Sequence, residues 1–62
     1  MPDFQAGDII CFMGTQVPYL VLDNEMSIDK YGKKGYKLRE LISGLEFKHD
    51  YEWVDRFYIH KE

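Results

Sequence analysis

The chain has 62 residues, a net charge of −3 and one cysteine, and it carries ten aromatic residues: five Tyr, four Phe and one Trp. A lone cysteine excludes an intrachain disulfide, and Cys11, His49 and His60 lack the paired spacing of a zinc site, so neither staple holds this small unit together. No stretch is long and apolar enough for a transmembrane helix, and Met1-Pro2-Asp3 lacks the basic and apolar regions of a signal peptide.

A chain of this length buries only about 60% of its unfolded surface. Stability therefore has to come from large aromatic side chains or from association with another chain. The unpaired thiol predicts a reducing, cytoplasmic setting. With no linker, repeat or low-complexity tract, residues 1–62 read as one domain and as a complete short open reading frame.

The first predicted element comes after the Gly7-Asp8 turn. Residues Ile9-Ile10-Cys11-Phe12-Met13 are apolar without alternation and are bounded by Gly14, which reads as a strand covered on both faces. Thr15 to Pro18 form a loop, and Pro18 suits the first residue of the next strand, Tyr19-Leu20-Val21-Leu22, which ends at Asp23-Asn24, with Met26 and Ile28 either anchoring a loop or extending the strand. Gly32-Lys33-Lys34-Gly35 reads as a turn with two residues free to take positive φ.

A hairpin is predicted with Ser43-Gly44 in the two central turn positions. That register pairs Ile42 with Leu45, Glu40 with Phe47, Leu38 with His49 and Tyr36 with Tyr51. One face then holds Tyr36, Leu38, Ile42, Leu45, Phe47 and Tyr51, and the other holds Lys37, Arg39, Leu41, Glu46, Lys48 and Asp50. Two residues misfit: Glu40 lies on the apolar face and Arg39 opposes Lys48. After a turn near Glu52-Trp53, the last strand is predicted over residues 54–59 with Phe57 and Ile59 inward. Helix is expected only as a single turn near residues 50–54.

The opening Phe4-Gln5-Ala6-Gly7-Asp8-Ile9-Ile10, the aromatic–aliphatic strand Tyr19 to Leu22 and the tight hairpin together resemble the SH3-like small barrels. The texture is also similar to short accessory proteins of tailed bacteriophages. The resemblance implies an all-β fold, a small SH3-like barrel of about five antiparallel strands, and the host cytoplasm as location if the chain is phage-encoded. The aromatic-Asp-Tyr motif of peptide-binding SH3 domains is absent, as is the glycine pattern of RNA-binding KOW modules, so the resemblance carries the fold and no ligand site.

Charge is distributed unevenly. Residues 1–29 carry five acids and no Lys or Arg, residues 30–39 five bases and no acid, and residues 40–62 six acids against three bases. Within the basic segment, Lys30, Lys33, Lys34, Lys37 and Arg39 could neutralise phosphates while Tyr31 and Tyr36 stack on bases. The plainer reading is a solvated hairpin tip whose lysines discourage edge pairing. His49 and Glu40 are diagonal neighbours in the predicted register and form a structural polar pair rather than a catalytic one. Cys11 reads as a buried, inert thiol and His60 as solvated.

No catalytic, cofactor or metal constellation is predicted. Two strands without a polar face and a surplus of rings point instead to a surface covered by another protein or by a second copy. Tyr19, Trp53 and Tyr58 are the candidate contact residues, with Phe12 assigned to the core. The expectation is a non-enzymatic protein-binding or self-associating module, and the alternative is nucleic-acid binding through residues 30–39.

Overall fold

The Gly7-Asp8 turn sets the chain's first change of direction. In the computed structural model, which describes residues 2–61, Gly7 takes φ +97°, a region in which a side chain would be strained. The Asp8 carboxylate accepts the Gln5 N–H at 2.9 Å while the Asp8 N–H donates to the Gln5 carbonyl at 3.0 Å.

Five strands come next: β1 (Ile9–Phe12), β2 (Pro18–Ser27), β3 (Lys34–Glu40), β4 (Glu46–Asp50) and β5 (Tyr58–His60). They form one antiparallel sheet in the order β4-β3-β2-β1-β5, so the all-β expectation of five antiparallel strands holds. A single short helix, α1 (Tyr51–Phe57), joins β4 to β5. These two strands are the edges of the sheet, and α1 packs against both, so the helix spans the gap between them.

One core fills the curl. Phe4, Ile10, Val21, Tyr36, Leu38, Val54 and Tyr58 are buried together, drawn from the N-terminal segment, four strands and the helix. Val54 is fully buried and anchors α1, a contribution of about 1.5–3 kcal/mol from its side chain. The Tyr36 hydroxyl accepts the Phe4 N–H at 3.1 Å and donates to Asp55 Oδ1 at 2.5 Å, tying the N-terminal segment to the helix through the middle of the core.

Several predicted boundaries shift. The second strand passes Asp23-Asn24 and runs on to Ser27, so that Met26 extends it and Ile28 lies beyond it, with irregularities between Val21 and Asp23 and between Asp23 and Met26. Such bulges bend a long strand around a small core. Polar groups near the bend find partners: the Asn24 side-chain amide donates to the Phe4 carbonyl at 3.1 Å, and the Tyr51 hydroxyl donates to the Asn24 carbonyl.

Gly35 does not take positive φ in a turn. It lies buried in β3, where a Cβ would collide with the His49 carbonyl oxygen and sit 2.9 Å from the Asp50 Cα, so close backbone approach is what requires glycine there. The turn falls earlier, around Asp29, whose carboxylate accepts the N–H groups of Tyr31 and Lys33 at 2.9 Å each.

The β3–β4 register differs by two residues from the two-residue turn. Leu38 pairs with Phe47, Tyr36 with His49 and Arg39 with Glu46. The Glu40 N–H donates to the Leu45 carbonyl and the Gly44 N–H to the Glu40 carbonyl, so the loop has four residues, Leu41 to Gly44, with Gly44 at φ +79°. Ile42 and Leu45 are therefore outside the core. The change turns an Arg39–Lys48 clash into an Arg39–Glu46 ion pair, joined by Lys37 at 3.5 Å from Glu46.

The predicted strand over residues 54–59 is also corrected. Asp50 caps α1, its carboxylate accepting the Trp53 N–H at 3.1 Å, with Glu52 in the first turn and Arg56 in the last. Tyr51, Val54 and Phe57 share the inner side of this two-turn helix. The extra turn changes the phase of the last strand, so Tyr58 points into the core and Ile59 outward at 49% exposure.

Candidate protein-binding face

Side chains from β1, β2, β4, α1 and β5 meet in a closed circuit of seven rings. Phe47 stands edge-on to His49 at 5.4 Å between centroids, and His49 stacks on Trp53 at 5.8 Å. Trp53 meets Phe57 at 4.5 Å, Phe57 stacks on Phe12 at 6.2 Å, and Phe12 stands edge-on to Tyr58 at 5.3 Å. Tyr58 meets Tyr19 at 5.3 Å and Tyr19 meets Phe47 at 5.7 Å, which closes the circuit.

Local structure explains each placement. Tyr19, Phe47 and His49 project from alternate positions of their strands on the core side. Trp53 and Phe57 are four apart on α1 and so lie on one side of it. The β1–β5 pairing sets Phe12 directly opposite Tyr58. Edge-on and offset ring pairs of this kind add about 0.5–1.5 kcal/mol each beyond their burial.

Tyr58 is the buried member at 6% exposure, Trp53 the most open at 41%, and the other five are half-buried. Burial, with Tyr19 beside it, pushes the Tyr58 phenol up to about 12. The open rings thus rest on a fixed aromatic floor.

An open cleft of about 620 Å³ adjoins the circuit and shares His49, Trp53 and Phe57 with it. Its other wall comes from Ile28, Asp29 and Lys33 of the β2–β3 turn and from Lys48, Asp50, Glu52 and Arg56. Two of its acids are already engaged. Asp29 caps its own turn, and Asp50 holds Trp53 N–H and lies 3.3 Å from Lys33 Nζ. The Trp53 N–H, then the Lys33 ammonium, keep the Asp50 carboxyl below the usual carboxylate range. Among the described residues, Lys48 and Arg56 have no carboxylate within ion-pair distance, and the Arg56 guanidinium lies 5.8 Å from the Phe57 ring centre.

Of the three predicted contact residues, Tyr19 and Trp53 lie on the open circuit, whereas Tyr58 is core. That third placement is corrected by the helix, which turns Tyr58 inward. Phe12, assigned to the core, is half-buried and belongs to the circuit, as do Phe47, His49 and Phe57, which the sequence pattern places on the hairpin's apolar face, in a polar pair with Glu40 and inward on the last strand, and not among the contact residues. Trp53 and Phe57 at helical spacing after a capping Asp50 was the available signal.

The basic segment is dispersed. Tyr36 is fully buried, so it cannot stack on a base. Lys33 pairs with Asp50, while Lys37 and Arg39 pair with Glu46. Glu46 is accordingly held below its usual range, mainly by Arg39. Lys30, Tyr31 and Lys34 are exposed, with the Lys30 ammonium 5.2 Å from the Tyr31 ring centre.

His49 and Glu40 are not diagonal neighbours, because the register shift sets His49 opposite Tyr36. Cys11 is a buried free thiol. His60 is exposed but not free, lying 3.2 Å from Asp8 and edge-on to Phe4 at 4.9 Å. Among the described residues no three His, Cys, Asp or Glu side chains cluster to hold a metal ion, and no helix is long and apolar enough to cross a membrane.

Comparison with known protein families, curated proteins and solved structures gives no match.

Proposed function

We propose that this protein is a non-enzymatic, cytoplasmic binding module on an SH3-like scaffold, and that it grips an apolar, extended segment of another protein on its aromatic face. The carrying observation is the closed circuit of seven rings, six of them open to solvent in part. Aromatic side chains that are rigid, partly wet and partly buried are the type enriched at the centre of protein interfaces. Their surroundings are already fixed by the core, so little ordering cost attends binding.

The adjoining cleft gives direction to the site. A segment lying over Trp53 and Phe57 would pass Lys48, Arg56 and Glu52, none of which has an ion-pair partner among the described residues, and two bases against one acid favour an acidic residue beside its apolar anchors. Nucleic-acid binding has less support, since Tyr36 is core and three of the five bases are already paired.

Peptide display against the folded protein tests this reading. Selected peptides should carry aromatic or aliphatic anchors and should shift the emission of Trp53, the single tryptophan. Trp53→Ala should weaken them by at least about tenfold, the loss of one interface anchor. Peptides that bind equally well to Trp53→Ala and Phe57→Ser would overturn the proposal. Steeply salt-dependent binding of oligonucleotides, flattened by neutralising Lys33 and Lys34, would favour the alternative.

A further inference from the structure

The cleft beside the aromatic circuit also runs along an open edge of the sheet. Among the described residues, no strand pairs with β4 on the side away from β3. The Glu40 N–H donates to the Leu45 carbonyl, which fixes the phase of the β3–β4 ladder. Leu38 with Phe47 and Tyr36 with His49 are then the hydrogen-bonded pairs, so Glu46 and Lys48 turn their backbone N–H and carbonyl groups outward. The other edge, β5, has only three residues, and its Tyr58 N–H is taken by the Val54 carbonyl.

Side chains tie the β4 edge to the cleft. Lys48 and His49 are adjacent in β4 and so project to opposite faces. Both line the cleft, which therefore crosses the edge between them, and its far wall is α1 with Trp53, Arg56 and Phe57.

We infer that a segment of another protein binds here as an added strand on β4, with an acidic residue opposite Lys48 and an apolar residue on each side of it. This rests on the proposed binding of an extended segment to the aromatic face, and gives that segment a backbone pairing and a sequence pattern. An added strand supplies the partners that the Lys48 N–H and carbonyl lack. The residue opposite Lys48 shares its face, and the two neighbours fall on the face of Phe47 and His49, where the rings are. Lys48 and Arg56 outnumber Glu52 among the charges of the cleft without an ion-pair partner, which makes the residue between the anchors acidic.

Charge also selects against a second copy of this edge. A second β4 would offer Lys48 another Lys48, or Glu46 and Asp50, which are already bonded within their own chain.

The probe is a synthetic peptide, acetyl-Thr-Thr-Phe-Asp-Phe-Thr-Thr-amide, titrated into the intact chain. Trp53 emission reports contact with the rings, and amide hydrogen exchange by NMR reports pairing at the edge. Emission should shift, and the Lys48 amide should exchange at least about tenfold more slowly at saturation. N-methylation of the peptide at alternate residues should weaken binding by about tenfold or more, and at the residues between should leave it unchanged. An emission shift without protection of the Lys48 amide overturns strand addition and leaves the aromatic-face reading standing. So does a peptide that tolerates N-methylation at every position. No change in either signal overturns the inference, and the aromatic-face reading falls with it only when displayed peptides also leave Trp53 emission unchanged.

Discussion

Replacing Tyr36 by Phe removes one oxygen atom and should cost this protein a large part of its stability. The ring stays in place between Phe4, at 5.9 Å, and Tyr51, at 5.2 Å, so no cavity opens. What is lost is a hydrogen bond to the Asp55 carboxylate, worth about 1.5–3 kcal/mol, and the acceptor for the Phe4 N–H, which becomes a buried unsatisfied donor at about 1–3 kcal/mol. The two overlap, so a total of about 2–4 kcal/mol is expected. A chain of this length has a total of about 3–9 kcal/mol to lose. The melting temperature should fall by roughly 10–25 °C.

Urea and thermal unfolding followed by circular dichroism and Trp53 emission measure this directly. A double-mutant cycle with Asp55→Asn should give a coupling above about 0.5 kcal/mol, since the two groups share one bond. Burial, then the Asp55 carboxylate, raises the Tyr36 phenol well above its ordinary value. Its contribution is therefore complete below the unfolded pKa near 10 and is lost as the pH rises beyond it. A Tyr36→Phe protein within about 0.5 kcal/mol of the parent, with the same alkaline limb, would refute the reasoning.

Gly35→Ala should unfold the chain or displace β4, because its Cβ would collide with the His49 carbonyl oxygen; loss of the Gly35–Asp50 pairing in an NMR spectrum checks it. Asp50→Ala removes the cap of α1 and should cost about 1 kcal/mol, read as a lower urea midpoint, and it should also loosen Trp53. Asp8 is held below its ordinary range first by the Gln5 N–H and then by His60, so the Gly7-Asp8 turn should be intact above the carboxylate range and loosen as pH falls through the depressed pKa. Faster amide exchange of Gln5 at low pH is the readout, and pH-independent exchange of that amide relative to its neighbours would count against it.

The chain's faces are easier to read than its registers. A hairpin slip of two residues preserves which side each residue occupies, so the pattern puts Tyr36, Leu38 and Phe47 inward, as they are, while it gives each the wrong partner. The Arg39–Lys48 clash is the sign of the slip, and moving to Glu46 removes it. Hydrophobic pattern alone draws Ile42 and Leu45 into the core, but a four-residue loop closed by Gly44 leaves them outside. The helix is hidden by its length, since two turns give too few apolar repeats to stand out, although Asp50 marks its start. The misplaced members of the candidate site trace to that helix: it turns Tyr58 inward and sets Trp53 beside Phe57. A circuit formed by rings from five elements has no signature in any one of them.

The pairing of β1 with β5 joins Cys11 to Ile59, so nearly the whole chain must be present before the sheet is complete. Contacts of such high sequence separation form late and slow the folding of small β proteins. Before β5 pairs with β1, Phe12 lacks its contact with Tyr58. The aromatic circuit is thus created by the final folding event. Until β5 docks, Phe12 and Tyr19 have no counterpart in Tyr58, and the ring surface exists only in the fully paired sheet.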